Sequence, residues 1–447
     1  MSGKEIGAEG GAPLTNAQNL ELTEPNGAYE QDLNTHGKNP LIRLLFQTFA
    51  SLQHRDFRYL WIGILFMSAG AWVQQVTVGW LLYDLTGSAV LLGALNGLRA
   101  LPYLILGLFV GVIIDRVDRR KLLLFIQPFL IVSTFALGLL IVTGRVEIWH
   151  LFVFALISGT AWSFTQPLRQ ALVPNLVPQK HLTNALSLTA MGHNINKVLG
   201  PALGGILIAA VGAGGNFFVQ SAAYTGVLFM VFALRVPKDQ IKSRGSSAFS
   251  DIKEGLRYVR SNPVVLAVIA TALVPPLFAM PYTSLMPIFQ KDVLGVGPEE
   301  LGMLLAAPGV GAIVSLSMLA ALGDRIKRKG ILLLAGLGFF GFFIILFSQI
   351  PTYPLVLLPL VGAGFCQLTY IVTSYTMLQI LAPDELRGRV LSLYYLNRGL
   401  GPLGSLLAGF MAESLGAPLT VTLMASIVIL LAGALAWRAP IIHQVET

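Results

Sequence analysis

Apolar runs of about twenty residues, the length a helix needs to cross a bilayer, follow one another with short polar breaks from residue 57 onward. The pattern predicts spans near 57–82, 89–114, 121–143, 148–168, 184–211 and 215–235. A polar gap at 236–262 follows, then spans near 263–289, 300–322, 330–350, 353–379, 388–412 and 416–438. This is the layout of an all-α polytopic membrane protein with twelve transmembrane helices arranged as two pseudo-symmetric six-helix bundles. The domains read as 51–235 and 263–438 for the two bundles, with 236–262 as a cytoplasmic linker and 439–447 as a C-terminal tail. Residues 1–50 are polar, rich in Gly, Asn and Glu, and lack the basic start and apolar centre of a signal peptide. A disordered cytoplasmic tail is expected there. In the linker, Phe249, Ile252, Leu256 and Val259 recur at helical spacing behind Ser250 and Asp251, which suit a helix start. An amphipathic helix lying on the cytoplasmic surface is expected. Pro275-Pro276 is expected to break the seventh span.

Composition agrees with lipid as the solvent. Of 447 residues 55% are hydrophobic and 12% charged, about half the charged share of a soluble domain. A net charge of +8 would suit a nucleic-acid partner, but the position of the charge excludes one. Arg116, Arg119, Arg120 and Lys121, then Arg169 and Lys180, then the linker, then Arg325, Lys327, Arg328 and Lys329, then Arg387 and Arg389 all fall in alternate breaks. The opposite breaks hold Arg145 and Lys291. The positive-inside rule places both termini in the cytoplasm of a multi-pass plasma-membrane protein. The single cysteine, Cys366, lies in an apolar run, so neither a disulfide framework nor a Cys metal site is available. No Gly-rich phosphate-binding Lys-Ser/Thr loop is present, so ATP hydrolysis by this chain is not expected and any energy it uses would come from an ion gradient. No cofactor is expected, nor an enzyme, which would need convergent His, Asp or Glu at depth.

The two halves repeat one another. Gly111-Val112-Ile113-Ile114-Asp115-Arg116-Val117-Asp118-Arg119-Arg120 is matched by Ala320-Ala321-Leu322-Gly323-Asp324-Arg325-Ile326-Lys327-Arg328, with the aspartates 209 residues apart. Asn196-Lys197-Val198-Leu199-Gly200-Pro201 is matched by Asn397-Arg398-Gly399-Leu400-Gly401-Pro402 at an offset of 201. Duplicated bundles with a site between them are a transporter design.

These strings resemble the major facilitator superfamily. The Gly111…Asp115-Arg116…Arg119-Arg120 segment is similar to its signature loop between the second and third helices, with Asp118 where glycine is usual. Gly200-Pro201-Ala202-Leu203-Gly204-Gly205 resembles the fifth-helix motif of its exporters. Asp84-Leu85-Thr86-Gly87-Ser88, Leu98-Arg99-Ala100-Leu101-Pro102, Pro167-Leu168-Arg169-Gln170-Ala171-Leu172-Val173-Pro174 and Arg387-Gly388-Arg389-Val390-Leu391-Ser392 resemble the enterobactin-exporter and macrolide-efflux branch. The resemblance implies a monomeric alternating-access transporter coupled to a proton gradient. It also implies a gate in which Asp115 caps the N-terminus of the eleventh helix, with Arg116, Arg119, Arg120, Asp324, Arg325 and Arg328 around it, while Gly200, Pro201 and Gly204 keep the fifth helix closely packed.

Charge at depth is the remaining clue, because ionisable groups inside a span are costly and mark function. No carboxylate falls near a span centre, whereas Arg99, Lys197 and Arg398 do, together with His193. His193, Asn196, Lys197 and Gly200 share one helical face, as do Asn96, Arg99 and Tyr103, and Tyr394, Asn397 and Arg398. Gln75, Gln367 and Tyr370 are further candidate contacts, with Gln74, Trp162, Thr165, Gln166, Ser374, Met280 and Tyr282 behind them. His193, Asp84 and Asp115 are candidates for carrying the proton. A cavity with cations and no acid favours an anionic or zwitterionic amphipathic molecule, so export of a siderophore- or drug-like compound is expected. Broad multidrug efflux and lysophospholipid transport are the alternatives.

Overall fold

The computed structural model describes residues 48–235, 256–322, 326, 328–395 and 397–438. The elements of the membrane region are helices: α1 Arg55–Thr86, α2 Ala89–Arg116, α3 Arg119–Val142, α4 Ile148–Leu176 and α5 Leu182–Ala233. After the linker come α6 Pro263–Phe278, α7 Pro298–Leu322, α8 Lys329–Gln349, α9 Leu357–Leu381, α10 Asp384–Tyr395, α11 Asn397–Leu415 and α12 Ala417–Arg438. Ten described segments are long and apolar enough to cross a membrane. One of these, α5, is two helices folded at Gly212, whose φ of 72° is open to glycine at little cost. Its arms answer to the expected fifth and sixth spans, and α10 with α11 falls on the expected eleventh. Asn262 accepts from the Val264 and Val265 N–H groups at 3.1 and 3.2 Å to start α6, and Asp118 caps α3 through the Lys121 N–H at 3.1 Å. Pro275-Pro276 does not break its helix where it stands; α6 runs through the pair and ends at Phe278, and short turns carry the chain on to Val293. Most of the linker helix expected at 236–262, and the segments 1–47 and 439–447, lie outside the described residues; 256–261 is helical.

The helices are apolar all round, as lipid requires. Phe125, Phe229, Leu358 and Leu430 stay exposed, while Phe57, Leu123, Leu168 and Val227 close one core among α1, α3, α4 and α5. A larger core joins Leu82, Leu92 and Phe217 to Leu301, Phe340, Phe347 and Met377. Glycines set the two seams between the halves. A Cβ on Gly93 of α2 would sit 2.5 Å from the Ser405 carbonyl oxygen of α11, and one on Gly409 would sit 2.6 Å from that of Ala89. On the other seam a Cβ on Gly205 of α5 would come within 2.5 Å of the Pro298 carbonyl oxygen, and one on Gly302 of α7 within 2.7 Å of that of Pro201. Backbones in such contact are the usual glue of membrane helices.

Candidate functional site

The α2–α11 seam opens into a central cavity of about 380 Å³. Trp72 and Gln75 of α1, Asn96, Arg99 and Tyr103 of α2, Trp162 of α4 and Ser405 of α11 face it. The expected face Asn96–Arg99–Tyr103 is therefore realised at i, i+3 and i+7 on one helix. Gly159 of α4 makes the crossing possible, since a Cβ there would overlap the Arg99 carbonyl oxygen. Arg99 makes a single long hydrogen bond to the Ala71 carbonyl oxygen at 3.5 Å, the outer limit of such a contact. Its charge is thus held by little protein, and among the described residues no Asp or Glu lines the cavity. A small annex of about 10 Å³ brings Gln74, Gln75, Asn96 and Arg99 together again.

A second void of about 10 Å³ lies beside Trp162, which it shares with the central cavity. Ser68, Thr165, Gln166, Arg169 and His193 line it. His193 and Ser68 stand 3.4 Å apart. Arg169 corrects the sequence reading, which put it in a cytoplasmic break. It lies two turns inside α4 and is 4% exposed. The span was expected to end near 168, but α4 carries Pro167 and Pro174 and runs to Leu176. The periodicity that found His193 would have found Arg169 as well: Trp162, Thr165, Gln166 and Arg169 stand at i, i+3, i+4 and i+7.

Other expected site residues are placed elsewhere. Asn196 is buried and donates its amide to the Leu65 carbonyl oxygen at 2.9 Å, tying α5 to α1. Lys197, Gln367 and Asn397 are half-buried, and neither they nor Tyr370 line the three voids described. Tyr370 is 1% exposed and packs on Phe340. Gly200 meets Trp72, and Gly204 meets Val73 and Val76, so this stripe is the α1–α5 contact. Asp324 and Arg325 lie outside the described residues, and Gly111, Asp115 and Arg398 are described only by their helical backbone. Arg116 and Arg328 are exposed. Arg119 donates to the Ala171 carbonyl oxygen at 3.0 Å and Arg120 to that of Val231 at 3.3 Å. Both serve C-terminal carbonyls of α4 and α5, where a cation is favoured.

The opposite end of the bundle holds contacts that the sequence reading did not anticipate. One Glu413 carboxylate oxygen of α11 accepts from the Ala89 and Val90 N–H groups at 2.9 and 3.2 Å and from Ser88 Oγ at 3.3 Å. It caps the first turn of α2 across the seam. Nearby, Lys291 pairs with Asp84 at 2.9 Å, and the Tyr83 hydroxyl donates to Asp292. Asp84, a proton candidate, is thus a half-exposed partner of a lysine. A sign was available in the sequence, since Glu413 and Asp84 both fall at span ends, but pairing across 325 residues leaves no local pattern.

Comparison with known proteins places this geometry in a lineage. The chain matches the transmembrane secretion effector family over residues 46–447. It is 26% identical over 376 residues to a staphyloferrin A transporter of Staphylococcus aureus, covering 82% of this chain and 92% of that protein. It is 26% identical over 389 residues to the multidrug efflux pump Tap of Mycolicibacterium fortuitum, covering 85% and 94%. Macrolide efflux protein A of Streptococcus pyogenes is 23% identical over 367 residues, covering 80% and 90%. Among solved structures, a bacterial homologue of the human lysosomal transporter Spinster, inward-facing and unoccupied, superposes with a TM-score of 0.65 at 15% identity over 88% of this chain and 99% of that one. The nucleoside transporter NupG superposes with a TM-score of 0.67 at 11% identity, covering 86% and 98%. These two likenesses concern the fold.

Proposed function

The chain belongs to the transmembrane secretion effector family of the major facilitator superfamily, and from that membership we propose that it exports a small amphipathic organic anion or zwitterion. It is a multi-pass membrane transporter of the efflux branch and not an enzyme. The observation that carries the cargo class is Arg99, a cation with one long hydrogen bond, facing a central cavity that no carboxylate lines among the described residues. In a low-dielectric cleft an unneutralised guanidinium attracts an acidic group and repels a cation. Asn96, Gln75 and Ser405 offer hydrogen bonds beside it, while Trp72, Tyr103 and Trp162 offer apolar area, as an amphipathic cargo requires. The relatives named for staphyloferrin A, macrolides and multiple drugs are consistent with siderophore-like or drug-like cargo.

Movement follows alternating access, with bundles 51–235 and 263–438 rocking about the cavity. Both termini lie in the cytoplasm. Asp115 latches the cytoplasmic end when the site opens outward. Glu413, Lys291–Asp84 and Tyr83–Asp292 close the outer end when it opens inward. Export is coupled to proton entry, with His193, Asp84 or Asp115 as the carrier. A second reading, broad multidrug efflux, is favoured by the aromatic share of the lining.

The test is transport by the full chain in liposomes with a fluorescent amphipathic carboxylate as cargo. Wild type is expected to move it, to stop when an uncoupler collapses the proton gradient, and to lose at least about tenfold in affinity on Arg99→Gln, the scale of one hydrogen bond to a charged group. Unchanged affinity in that variant would remove Arg99 from the site, and persistence under the uncoupler would remove proton coupling.

A further inference from the structure

The void beside α4 has a chemistry of its own. Four polar atoms on its lining residues are fully buried and have no hydrogen-bond partner: Nε and Nη2 of Arg169, Nε1 of Trp162 and Oγ1 of Thr165. Three of the four can only donate, and the fourth, a hydroxyl, can turn to donate. Arg169 is 4% exposed, so bulk solvent does not reach its charge, and among the described residues no Asp or Glu lines the void. A buried charge left in this state is among the most costly arrangements in a protein.

We propose that this void is a binding site for a monatomic anion of about the size of chloride, held by Arg169, Trp162 and Thr165. Three observations select that ligand. The volume of about 10 Å³ is close to what a single water-sized particle needs, so a carboxylate or phosphate is too large. A water molecule fits by size but brings two hydrogens of its own into a ring of donors and leaves the guanidinium charge unbalanced. A halide accepts from donors of this kind and supplies the missing charge once small side-chain shifts turn them to the void. Ser68 and His193, 3.4 Å apart, form the far wall. The site is separate from the cargo cavity except for Trp162, which lines both. The bound anion then sets the position of the indole that the cargo meets. The assignment does not depend on what the central cavity carries.

The test uses the full-length protein in detergent with sodium gluconate as the only salt, replaced by sodium chloride at constant ionic strength. Binding of radioactive chloride is expected to saturate at one per chain, with a parallel rise in melting temperature that bromide reproduces and formate does not. Arg169→Gln is expected to lower chloride affinity at least about tenfold, the loss of a charge-assisted hydrogen bond, whereas Arg99→Gln leaves it unchanged. Thr165→Val, which keeps the shape of the side chain, is expected to weaken chloride several-fold and carries the test if Arg169→Gln does not fold. Absence of saturable binding by the wild type would overturn the site. So would binding that survives both α4 variants, or formate acting as well as chloride, which would mean a carboxylate pocket. If Arg99→Gln alone abolished binding, the anion would belong to the central cavity.

Discussion

The two halves of the membrane region bury polar chemistry in different ways. The first half buries Arg169 and the amides of Gln74, Gln127, Asn196, Asn216 and Gln220. The second half buries mostly hydroxyls, and these satisfy one another: Ser315 with Thr369 at 2.8 Å, Thr271 with Ser374 at 3.4 Å, and Ser348 with Thr422 at 3.0 Å. Apart from Tyr370 OH and Thr420 Oγ1, every buried side-chain polar atom without a partner among the described residues lies in the first half. Unpaired buried polar groups weaken a fold, and under the proposals above a ligand would offset that cost in the first half. The repeat is plain in the Gly-Pro and basic-loop strings. The interiors have parted, and most of the unpartnered buried polar atoms among the described residues lie on α1 to α5.

That contrast can be broken most severely at Gly159. Gly159→Val places a branched side chain on the Arg99 carbonyl oxygen, where rigid backbone cannot yield. Transport is expected to be lost, with destabilisation at or above the roughly 3 kcal/mol upper end of ordinary overpacking; transport at wild-type rates would show that the α2–α4 crossing is softer than described. A smaller effect sharpens the comparison by its sign. In chloride-free buffer Arg169→Met is expected to raise stability by roughly 1–4 kcal/mol, because an unpaired buried charge gives way to a buried hydrophobe. Ser315→Ala in the second half is expected to lower stability by about 1 kcal/mol, since it breaks a satisfied pair. Chemical unfolding of both variants reads the difference, and a shared sign would erase it.

The smallest effect concerns pH at the end of the first half where α1 begins. His54 and His181 lie 2.9 Å apart, and His181 Nδ1 also receives the Gln53 amide at 3.1 Å. Burial lowers both histidines below their ordinary 6.5, with His181 and then Lys180 adding to the shift at His54, and Lys180 at His181. A lowered histidine favours the neutral folded form. Its contribution is therefore complete above pH 6.5 and is lost as pH falls below it. Thermal stability is expected to fall between neutral pH and the acid side of that value, and to fall less in a His54→Gln/His181→Gln variant. An identical decline in both proteins would exclude the pair as its source.

The all-α membrane fold and the Asn96–Arg99–Tyr103 face were legible in the sequence because each has a local period that a bilayer enforces, whereas the seam glycines Gly93, Gly302 and Gly409 carry no such mark. Which cavity a face meets was not legible. Lys197 and Arg99 looked alike as mid-span cations, yet Arg99 lines the central cavity and Lys197 lines none of the voids described. Asn196 looked like a cargo contact, but Leu65 offers it a carbonyl oxygen at 2.9 Å. Arg169 was hidden because it looked like part of a basic break, whereas α4 runs on through Pro167 and Pro174 to Leu176; membrane helices tolerate proline because their neighbours hold the freed backbone groups. Glu413 was hidden because its partners are main-chain N–H groups, which carry no sequence mark.

The central claim is that the cavity around Arg99 selects for negative charge. The most direct measurement is competition in liposomes between two amphiphiles of the same skeleton, one ending in a carboxylate and the other in a quaternary ammonium, for export of a labelled carboxylate. The carboxylate is expected to compete at least about tenfold better, the equivalent of one charge-assisted contact. Equal competition, or preference for the cation, would contradict the account.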